Sequence, residues 1–230
     1  MAPRKREYNS FMPEIFDLEK TDLTLLLERC REVLEQGGLA VVPTDTVYGL
    51  AAKATDRETV ERLKKAKGRD SHKPLVVMVS SREEALELAA PREREALSKL
   101  GSFWPGPLTL VVETGEVPWA KYLAPSESKL GIRVPASDFM LRLLEITGPL
   151  AVTSANPSGE AAPASFREVS GGLLGKVDLA VDGGCCGSGE PSTVAEIRGG
   201  RGKVLRRGEI TEEDLRRLLE GKPPLSRDRK

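Results

Sequence analysis

The spacing of apolar residues along the chain predicts an alternation of helices and short buried strands. Leucines at positions 23, 26, 27 and 34 recur at helical spacing and are followed by two glycines, so residues 23–36 are predicted to form an amphipathic helix. The next apolar run, residues 39–43 (LAVVP), is short and lacks this period, which predicts a buried strand. The same contrast between long periodic segments and short apolar runs continues towards the C-terminus.

The remaining elements follow from the same two patterns. Short apolar runs predict strands at residues 75–79, 108–112, 131–134, 150–153, 179–181, 194–197 and 204–206. A Ser or Thr three positions before a Glu predicts capping boxes at Thr55, Ser81 and Ser165, and Pro91 is predicted to begin a helix. Helices are also predicted at residues 138–147 and 211–219. Because the late strands follow one another without intervening helices, the sequence predicts an α/β domain with a mixed sheet.

The chain length and the absence of an internal repeat predict one domain with flanking segments. Residues 1–20 show no clear period and are interpreted as an N-terminal arm, residues 21–210 as the main domain, and residues 211–230 as a C-terminal helix and tail. No apolar run approaches the roughly 18 residues of a membrane span, and no apolar segment follows the charged N-terminus as in a secretory signal. Three cysteines (30, 185 and 186) make no disulfide framework, and Cys185 and Cys186 have no assigned chemistry. We therefore expect a cytoplasmic protein without a membrane partner.

Charge and histidine content exclude several kinds of site. Lys plus Arg and Asp plus Glu are both 35, so the net charge is zero, which argues against a basic surface over the whole protein but leaves room for a local basic cleft. The single histidine, His72, rules out a zinc site with several histidines, and no GxSxG motif supports a Ser-His-Asp triad. A metal here is expected to be a hard ion such as Mg²⁺ that arrives with phosphates.

Two polar triplets lie where apolar runs end. Lys67-Gly68-Arg69 offers two positive charges, and Ser154-Ala155-Asn156 offers a hydroxyl and an amide with the same spacing. Together they could hold a phosphate chain and its ribose without a P-loop, since Arg and Lys both bind phosphate well. Each triplet also has a simpler interpretation: the first as a solvated helix end, the second as a turn favoured by Asn-Pro-Ser-Gly. The phosphate interpretation requires that the fold bring both triplets to one cavity.

Several ordered blocks make the sequence resemble the YrdC/TsaC family, the threonylcarbamoyl-AMP synthases. They are residues 42–50 (VPTDTVYGL), 67–69 (KGR), 73–75 (KPL), 104–110 (WPGPLTL), 131–135 (GIRVP), 153–159 (TSANPSG), 192–194 (STV) and 205–208 (LRRG). The resemblance implies a twisted mixed parallel/antiparallel sheet with flanking helices and a concave basic cavity. Its one visible departure is Met78, at a position where many relatives carry histidine.

The resemblance also implies a reaction and its participants. L-Threonine, bicarbonate or CO₂, and ATP with Mg²⁺ would give threonylcarbamoyl-AMP and pyrophosphate, and a separate transferase would pass the threonylcarbamoyl group to tRNA. N-Carboxythreonine would attack the α-phosphorus of ATP, with positioning and electrostatics dominating because no side chain is an obvious general base. A weak contact with tRNA itself is compatible with this scheme. We expect the single-domain type, because about 20 residues beyond Ile210 are too few for a further domain.

Residue roles follow from the resemblance. It implies an ATP-binding set made of Lys67, Arg69, Lys73, Ser154, Asn156 and Arg206, in which Lys67 and Arg69 also act in catalysis. It implies a threonine-binding set made of Thr46, Arg133, Ser192 and Tyr48. The sequence leaves another interpretation open for two of these residues. Arg133 could form a structural salt bridge, and Tyr48 could belong to the core rather than to the cavity wall.

Two rival functions remain at this point. One is another adenylating enzyme of the same fold, such as the carbamoyl-adenylating module of hydrogenase maturation, although the zinc-binding cysteine motifs of those long chains are absent here. The other is a non-catalytic RNA-binding domain that uses the same concave surface. Zero net charge and an aromatic content of 4% weaken the second rival.

Overall fold

The computed structural model describes residues 12–68, 75–124, 129–198 and 201–225. Ten strands in this part of the chain form one sheet: β1 (Glu14–Asp17), β2 (Ala40–Val42), β3 (Gly49–Lys53), β4 (Val76–Met78), β5 (Leu108–Glu113), β6 (Lys129–Arg133), β7 (Leu150–Ser154), β8 (Leu179–Asp182), β9 (Thr193–Arg198) and β10 (Arg201–Arg206). The strand order is β1-β8-β2-β3-β7-β4-β6-β5-β9-β10. Parallel and antiparallel pairs alternate irregularly along it, which confirms the mixed sheet.

Helices cover both faces of this sheet. They are α1 (Leu23–Glu35), α2 (Arg57–Lys67), α3 (Arg82–Leu88), α4 (Arg94–Leu100), α5 (Ala120–Leu123), α6 (Asp138–Thr147), α7 (Gly171–Leu174) and α8 (Glu212–Leu219). Short 3₁₀ turns occupy Pro91–Glu93, Gly101–Phe103 and Phe166–Glu168. The α/β class is thereby confirmed, while a concave basic cavity stays a prediction. Within the described ranges, no helix is both long and apolar enough to cross a bilayer.

None of the three predicted capping boxes forms in full, although one of the three caps is correct. The cap of α2 is Asp56 rather than Thr55, because its carboxylate accepts hydrogen bonds from the amides of Glu58 and Thr59. Ser165 makes no cap, and only a 3₁₀ turn follows it. Ser81 does cap α3, by accepting from the amide of Glu84 at 3.1 Å.

Strands β1 and β3 were not predicted. Strand β1 lies inside residues 1–20 and pairs in parallel with β8, and its surface is half-exposed, so it carries no apolar run. Strand β3 (GLAAK) has little β propensity, but it is buried between β2 and β7, so tertiary pairing overrides its composition. These additions extend the sheet around the predicted strands without altering its class.

The two sheet faces are packed differently. On one face, α1 and α6 cover the strands from β1 to β4, where a core cluster joins Leu26, Leu143, Val152 and Val181. On β5 and β9 the same face is less covered, and Val111 and Val194 are half-buried there. The other face carries the larger core cluster under α2 and α4. The partly open half of the first face is where the polar motif residues gather.

Candidate active site

A cavity of about 140 Å³ opens on the sheet face that α1 and α6 cover in part. It lies between the strands under these two helices and the less covered strands β5 and β9. Strand register places the residues that point into it on one face: Gly49 lies opposite Ser154, Val76 opposite Val152, and Met78 opposite Arg133. The side chains of Thr46, Thr109, Ser192 and Arg206 complete the polar wall, and Val76, Met78 and Val152 form an apolar wall. Six residues of the predicted site that lie far apart in sequence therefore line one cavity: Thr46, Tyr48, Arg133, Ser154, Ser192 and Arg206.

Lys67, the first residue of one polar triplet, contacts the second triplet beside this cavity. Lys67 ends α2 with its side chain buried, and its Nζ donates to the backbone oxygens of Ser154 at 2.6 Å and of Asn156 at 2.9 Å. It also lies 3.1 Å from Ser154 Oγ and 3.0 Å from Asn156 Oδ1. The amide of Ser158 closes the junction by donating to the Lys67 oxygen. The ammonium of Lys67 therefore binds the second triplet directly.

The helix end that carries Lys67 is set by a glycine. Gly68 adopts φ +64°, the left-handed conformation that ends many helices, and its amide donates to the carbonyls of Lys64 and Lys65. A residue with a side chain would be strained there, so glycine at this place turns the chain directly after Lys67. The predicted residues Arg69 and Lys73, and His72 between them, lie outside the described residues.

Arg133 lies at the end of β6 with only 3% of its surface exposed. Its Nη2 forms a salt bridge with Asp45 Oδ1 at 2.7 Å, Nη1 donates to Thr46 Oγ1 at 2.9 Å, and Nε donates to the Gly106 oxygen at 3.1 Å. Burial lowers the pKa of this guanidinium, and the Asp45 carboxylate opposes that shift. The structural salt bridge and the cavity position, which were alternatives in the sequence, therefore occur together.

The loop before β5 positions a backbone carbonyl that accepts a hydrogen bond from Arg133. Gly106 comes so close to the Phe103 oxygen that a Cβ would lie 2.2 Å from it, so only glycine fits. Its amide donates to the Val134 oxygen, and Trp104 Nε1 donates to the Leu108 oxygen at 2.6 Å. The segment WPGPL thus fixes the carbonyl that holds Arg133 Nε.

Ser192 forms a second polar cluster in the cavity lining. Its Oγ lies 2.9 Å from Thr109 Oγ1, and both residues are buried. Arg206, which is exposed, donates from Nη2 to the Ser192 oxygen at 2.8 Å and to Ser192 Oγ at 3.1 Å. The predicted ATP contact and the predicted threonine contact are therefore neighbours.

Tyr48 belongs to both the core and the cavity wall. Its ring is fully buried against Phe166, and it also lines the cavity. Its hydroxyl donates to the Gly184 oxygen and accepts from the Gly183 amide, both at 3.0 Å. Burial raises the pKa of this phenol, so it stays protonated at neutral pH. Tyr48 thus holds the loop before Cys185 and Cys186 against the turn that carries Thr46.

Thr44, Asp45 and Thr109 are among the polar residues of the site that were not predicted. Thr44 Oγ1 donates to the Val47 oxygen at 2.6 Å and accepts from the Thr46 amide, which shapes the turn after β2. An acid beside Thr46 directly after a buried strand was a usable signal for Asp45. Thr109 carried no comparable signal, since a threonine in a strand is ordinary.

No metal centre is built from side chains in the described ranges, where no group of three or more His, Cys, Asp or Glu residues could hold an ion. Cys185 is exposed, and Cys186 is buried with a raised pKa because its thiol is desolvated. Neither thiol is disulfide-bonded. The polar part of the cavity lining consists of hydroxyl groups and the guanidinium groups of Arg133 and Arg206.

Replacing Lys67 with Met is expected to lower the free energy of unfolding by about 2–3 kcal/mol, because buried oxygens of Ser154 and Asn156 lose a charged donor. Urea denaturation measures this change. Lys65→Met is the matched control, since Lys65 is exposed on the same helix and should change stability little. Equal stability of the two variants would contradict a structural role for the buried ammonium.

Comparison with known proteins finds a matching family model and similar proteins that share one name. Residues 32–208 match the Sua5/YciO/YrdC family model, which is described as "Telomere recombination". The chain is 36% identical over 189 residues to a threonylcarbamoyl-AMP synthase of Pyrococcus abyssi, covering 81% of this chain and 55% of the relative. It is 32% identical over 188 residues to the Bacillus subtilis protein of the same name, covering 81% and 54%.

A solved structure is similar as well. The crystal structure of P. abyssi Sua5 complexed with L-threonine aligns with a TM-score of 0.75 at 36% identity, covering 84% of this chain and 56% of that one. The chain thus spans about half the length of these relatives.

Proposed function

Because the chain belongs to the Sua5/YciO/YrdC family, we propose that it is an L-threonylcarbamoyladenylate synthase, a nucleotidyltransferase that makes threonylcarbamoyl-AMP. L-Threonine, bicarbonate or CO₂, and ATP are its substrates, and pyrophosphate is the second product. The observation that carries the proposal is the meeting of the Lys67 and Ser154–Asn156 motifs beside a cavity that also contains Arg133. Relatives named for this activity and a relative bound to L-threonine support it.

Arg133 is suited to bind the carboxylate of the amino acid. A guanidinium has five N–H donors, and the described residues take three of them, through Gly106, Thr46 and Asp45. Two donors remain for a substrate carboxylate, and the buried position makes a charge-assisted bond strong. Asp45 holds the guanidinium plane in place, so that little orientation is lost when the substrate binds.

Thr46 is suited to bind the hydroxyl of the amino acid. The Thr44 hydroxyl donates its hydrogen bond to the Val47 oxygen, so in the 3.1 Å contact between the hydroxyls of Thr44 and Thr46, Thr46 is the donor. Thr46 Oγ1 also accepts from Arg133, which leaves one lone pair. That lone pair accepts a hydrogen bond from a substrate hydroxyl, and Ser192 lines the same cavity. Val76, Met78 and Val152 offer apolar contact to a methyl group, and the buried Tyr48 backs the Thr46 turn.

The ATP end lies around Lys67 and the exposed Arg206. Ser154 and Asn156 would face the nucleotide, and Lys67, Arg69 and Lys73 would supply positive charge to the phosphates that Mg²⁺ accompanies. In the reaction, threonine's amine adds to CO₂, and a carbamate oxygen forms a bond to the α-phosphorus. The bond from that phosphorus to the β-bridging oxygen breaks, and pyrophosphate leaves. Arg69 stabilises the charge on the leaving group, Lys67 adds its positive charge through the Ser154–Asn156 segment that its ammonium binds, and positioning supplies most of the remaining rate.

The direct test is mass spectrometry of a reaction that contains ATP, threonine and bicarbonate. An intermediate at the mass of threonylcarbamoyl-AMP, together with pyrophosphate, is the expected result. Omitting bicarbonate or threonine should remove that peak. ATP cleavage without a threonine-containing adenylate would overturn the proposal and favour another adenylating reaction.

Melting temperatures separate the proposal from RNA binding. A ligand that binds only the folded state raises the melting temperature, so ATP and threonine are each expected to do so. A shift with RNA alone, and none with ATP or threonine, would favour the non-catalytic alternative. Cytoplasmic location, transfer of the product by a separate transferase, and a weak contact with tRNA belong to the same proposal.

We expect ATP consumption to decrease from threonine to serine to valine. Serine loses a methyl contact with the apolar wall, which costs about 1 kcal/mol. Valine fills the same space but leaves the free lone pair of Thr46 unpaired, which costs about 1–3 kcal/mol. Pyrophosphate release with each amino acid, at equal ATP, measures the order. Valine turning over as fast as threonine would remove the hydroxyl-binding role of Thr46.

A further inference from the structure

A second cavity, of about 540 Å³, lies near the C-terminal ends of β5 and β9, whereas the candidate active site lies near the beginnings of these two strands. It is bounded by α4 and the 3₁₀ turn before it, by the ends of β5 and β9, and by the end of α8. Ala96, Ile197 and Leu219 give it an apolar wall. In the described part of the chain, the two cavities share no lining residue. Its volume is within the usual range for sites that hold small molecules.

The rim of this cavity carries charges that are already paired. Arg92 forms an ion pair with Glu113, and Lys99 forms one with Glu95 at 2.9 Å. Both pairs are solvated, since the side chains of Arg92 and Glu95 are 71% and 83% exposed. Each positive charge of the rim is therefore matched by a carboxylate, and neither is directed at the remaining acid in the wall.

That remaining acid is Glu93, which is buried with 8% of its surface exposed. Its Oε2 is shielded from solvent and accepts no hydrogen bond from any residue in the described ranges. Buried carboxylate oxygens are nearly always satisfied, because leaving one without a donor costs free energy. The terminal torsion of a glutamate is broad and roughly two-fold, so either oxygen can turn towards the cavity that Glu93 lines.

We propose that this cavity binds a small aliphatic amine, whose ammonium donates to the Glu93 carboxylate and whose alkyl chain packs on Ala96, Ile197 and Leu219. An ammonium supplies both the donors and the charge that Glu93 lacks. An anion is disfavoured, because Glu93 repels it and the rim cations are paired. A bare metal ion is disfavoured too, because the described residues offer it no cluster of three acidic, His or Cys ligands.

The test is titration of the full chain with 1,4-diaminobutane and n-butylamine, followed by methyl NMR of Ile197 and Leu219. Saturable shifts of the methyl signals of both residues are expected at millimolar amine. n-Butanol, which has the same alkyl chain as n-butylamine without the charge, should shift these signals far less. Glu93→Gln keeps the shape and removes the charge, and it should weaken amine binding roughly tenfold or more. The matched control is Glu95→Gln, because Glu95 lies on the same rim but is solvated.

Three results would overturn the proposal: no saturable shift in the unaltered protein, equal shifts with n-butanol, or equal amine affinity in Glu93→Gln and Glu95→Gln. The first two need no variant, so they hold even where Glu93→Gln does not fold. Synthesis of threonylcarbamoyl-AMP should be unchanged in Glu93→Gln, since Glu93 is outside the candidate active site. The outcome is therefore independent of whether the proposed function is right.

Discussion

Replacing Arg133 with Ala is expected to lower the free energy of unfolding by about 3–5 kcal/mol, because Asp45 then keeps a largely buried charge without its partner. The same change should abolish threonine-dependent release of pyrophosphate, since the carboxylate of the substrate loses its cation. Denaturant unfolding and the pyrophosphate assay measure the two effects on one preparation. A stable Arg133→Ala protein with normal affinity for threonine would remove Arg133 from the proposed site.

A double variant separates the structural effect from the functional one. Arg133→Met combined with Asp45→Leu removes both charges, and replacing a buried ion pair with apolar side chains is often neutral for stability. We expect the double variant to recover most of the lost unfolding free energy and none of the activity. Recovery of activity along with stability would mean that Arg133 supports the fold without binding substrate.

Replacing Arg69 with Ala is expected to slow formation of threonylcarbamoyl-AMP about 10²–10³-fold while the protein stays folded. A positive charge on a leaving phosphate group acts mainly in the transition state, so kcat should fall more than the affinity for threonine changes. Single-turnover measurements with ATP in excess give the rate of the chemical step directly.

Two further variants make this expectation specific to charge and position. Arg69→Lys keeps the charge but loses the bidentate geometry, so it should retain part of the rate. Lys65→Ala removes an exposed charge from α2 and should leave the rate near normal. Near-normal turnover by folded Arg69→Ala would instead remove Arg69 from the proposed catalytic residues.

The long periodic elements were predictable because local patterns determine them. Helix α6 runs from Asp138 to Thr147 as its apolar spacing predicts, and the observed α1 differs from its prediction by one residue at the end. The mixed sheet followed from the absence of helices between the late strands. Strand β3 was not predictable in this way, since its residues become a strand only when β2 and β7 pair with its two edges.

The candidate site was also predictable only in part: local motifs indicated some of its residues, but not the contacts between remote segments. Sequence motifs placed Lys67, Ser154 and Asn156 at the ends of elements, and the structure brings these residues together. They gave no sign that the Lys67 ammonium is buried among four oxygens, because that depends on how α2 packs against the end of β7. Likewise, Arg133 was recognisable as a charge in an apolar strand, but its pairing with Asp45 is a contact between remote segments.

The contacts that assemble the cavity join positions that are remote along the chain. Lys67 and Ser154 are 87 positions apart, Arg133 and Asp45 are 88, and Tyr48 and Gly184 are 136. Contacts between positions so far apart cannot form until the intervening chain has closed into a loop. The cavity should therefore form late in folding, and the separate segments should not form parts of it by themselves. Occupancy of the cavity then becomes a measure of global folding: a bound substrate should slow amide exchange throughout the sheet rather than in one loop.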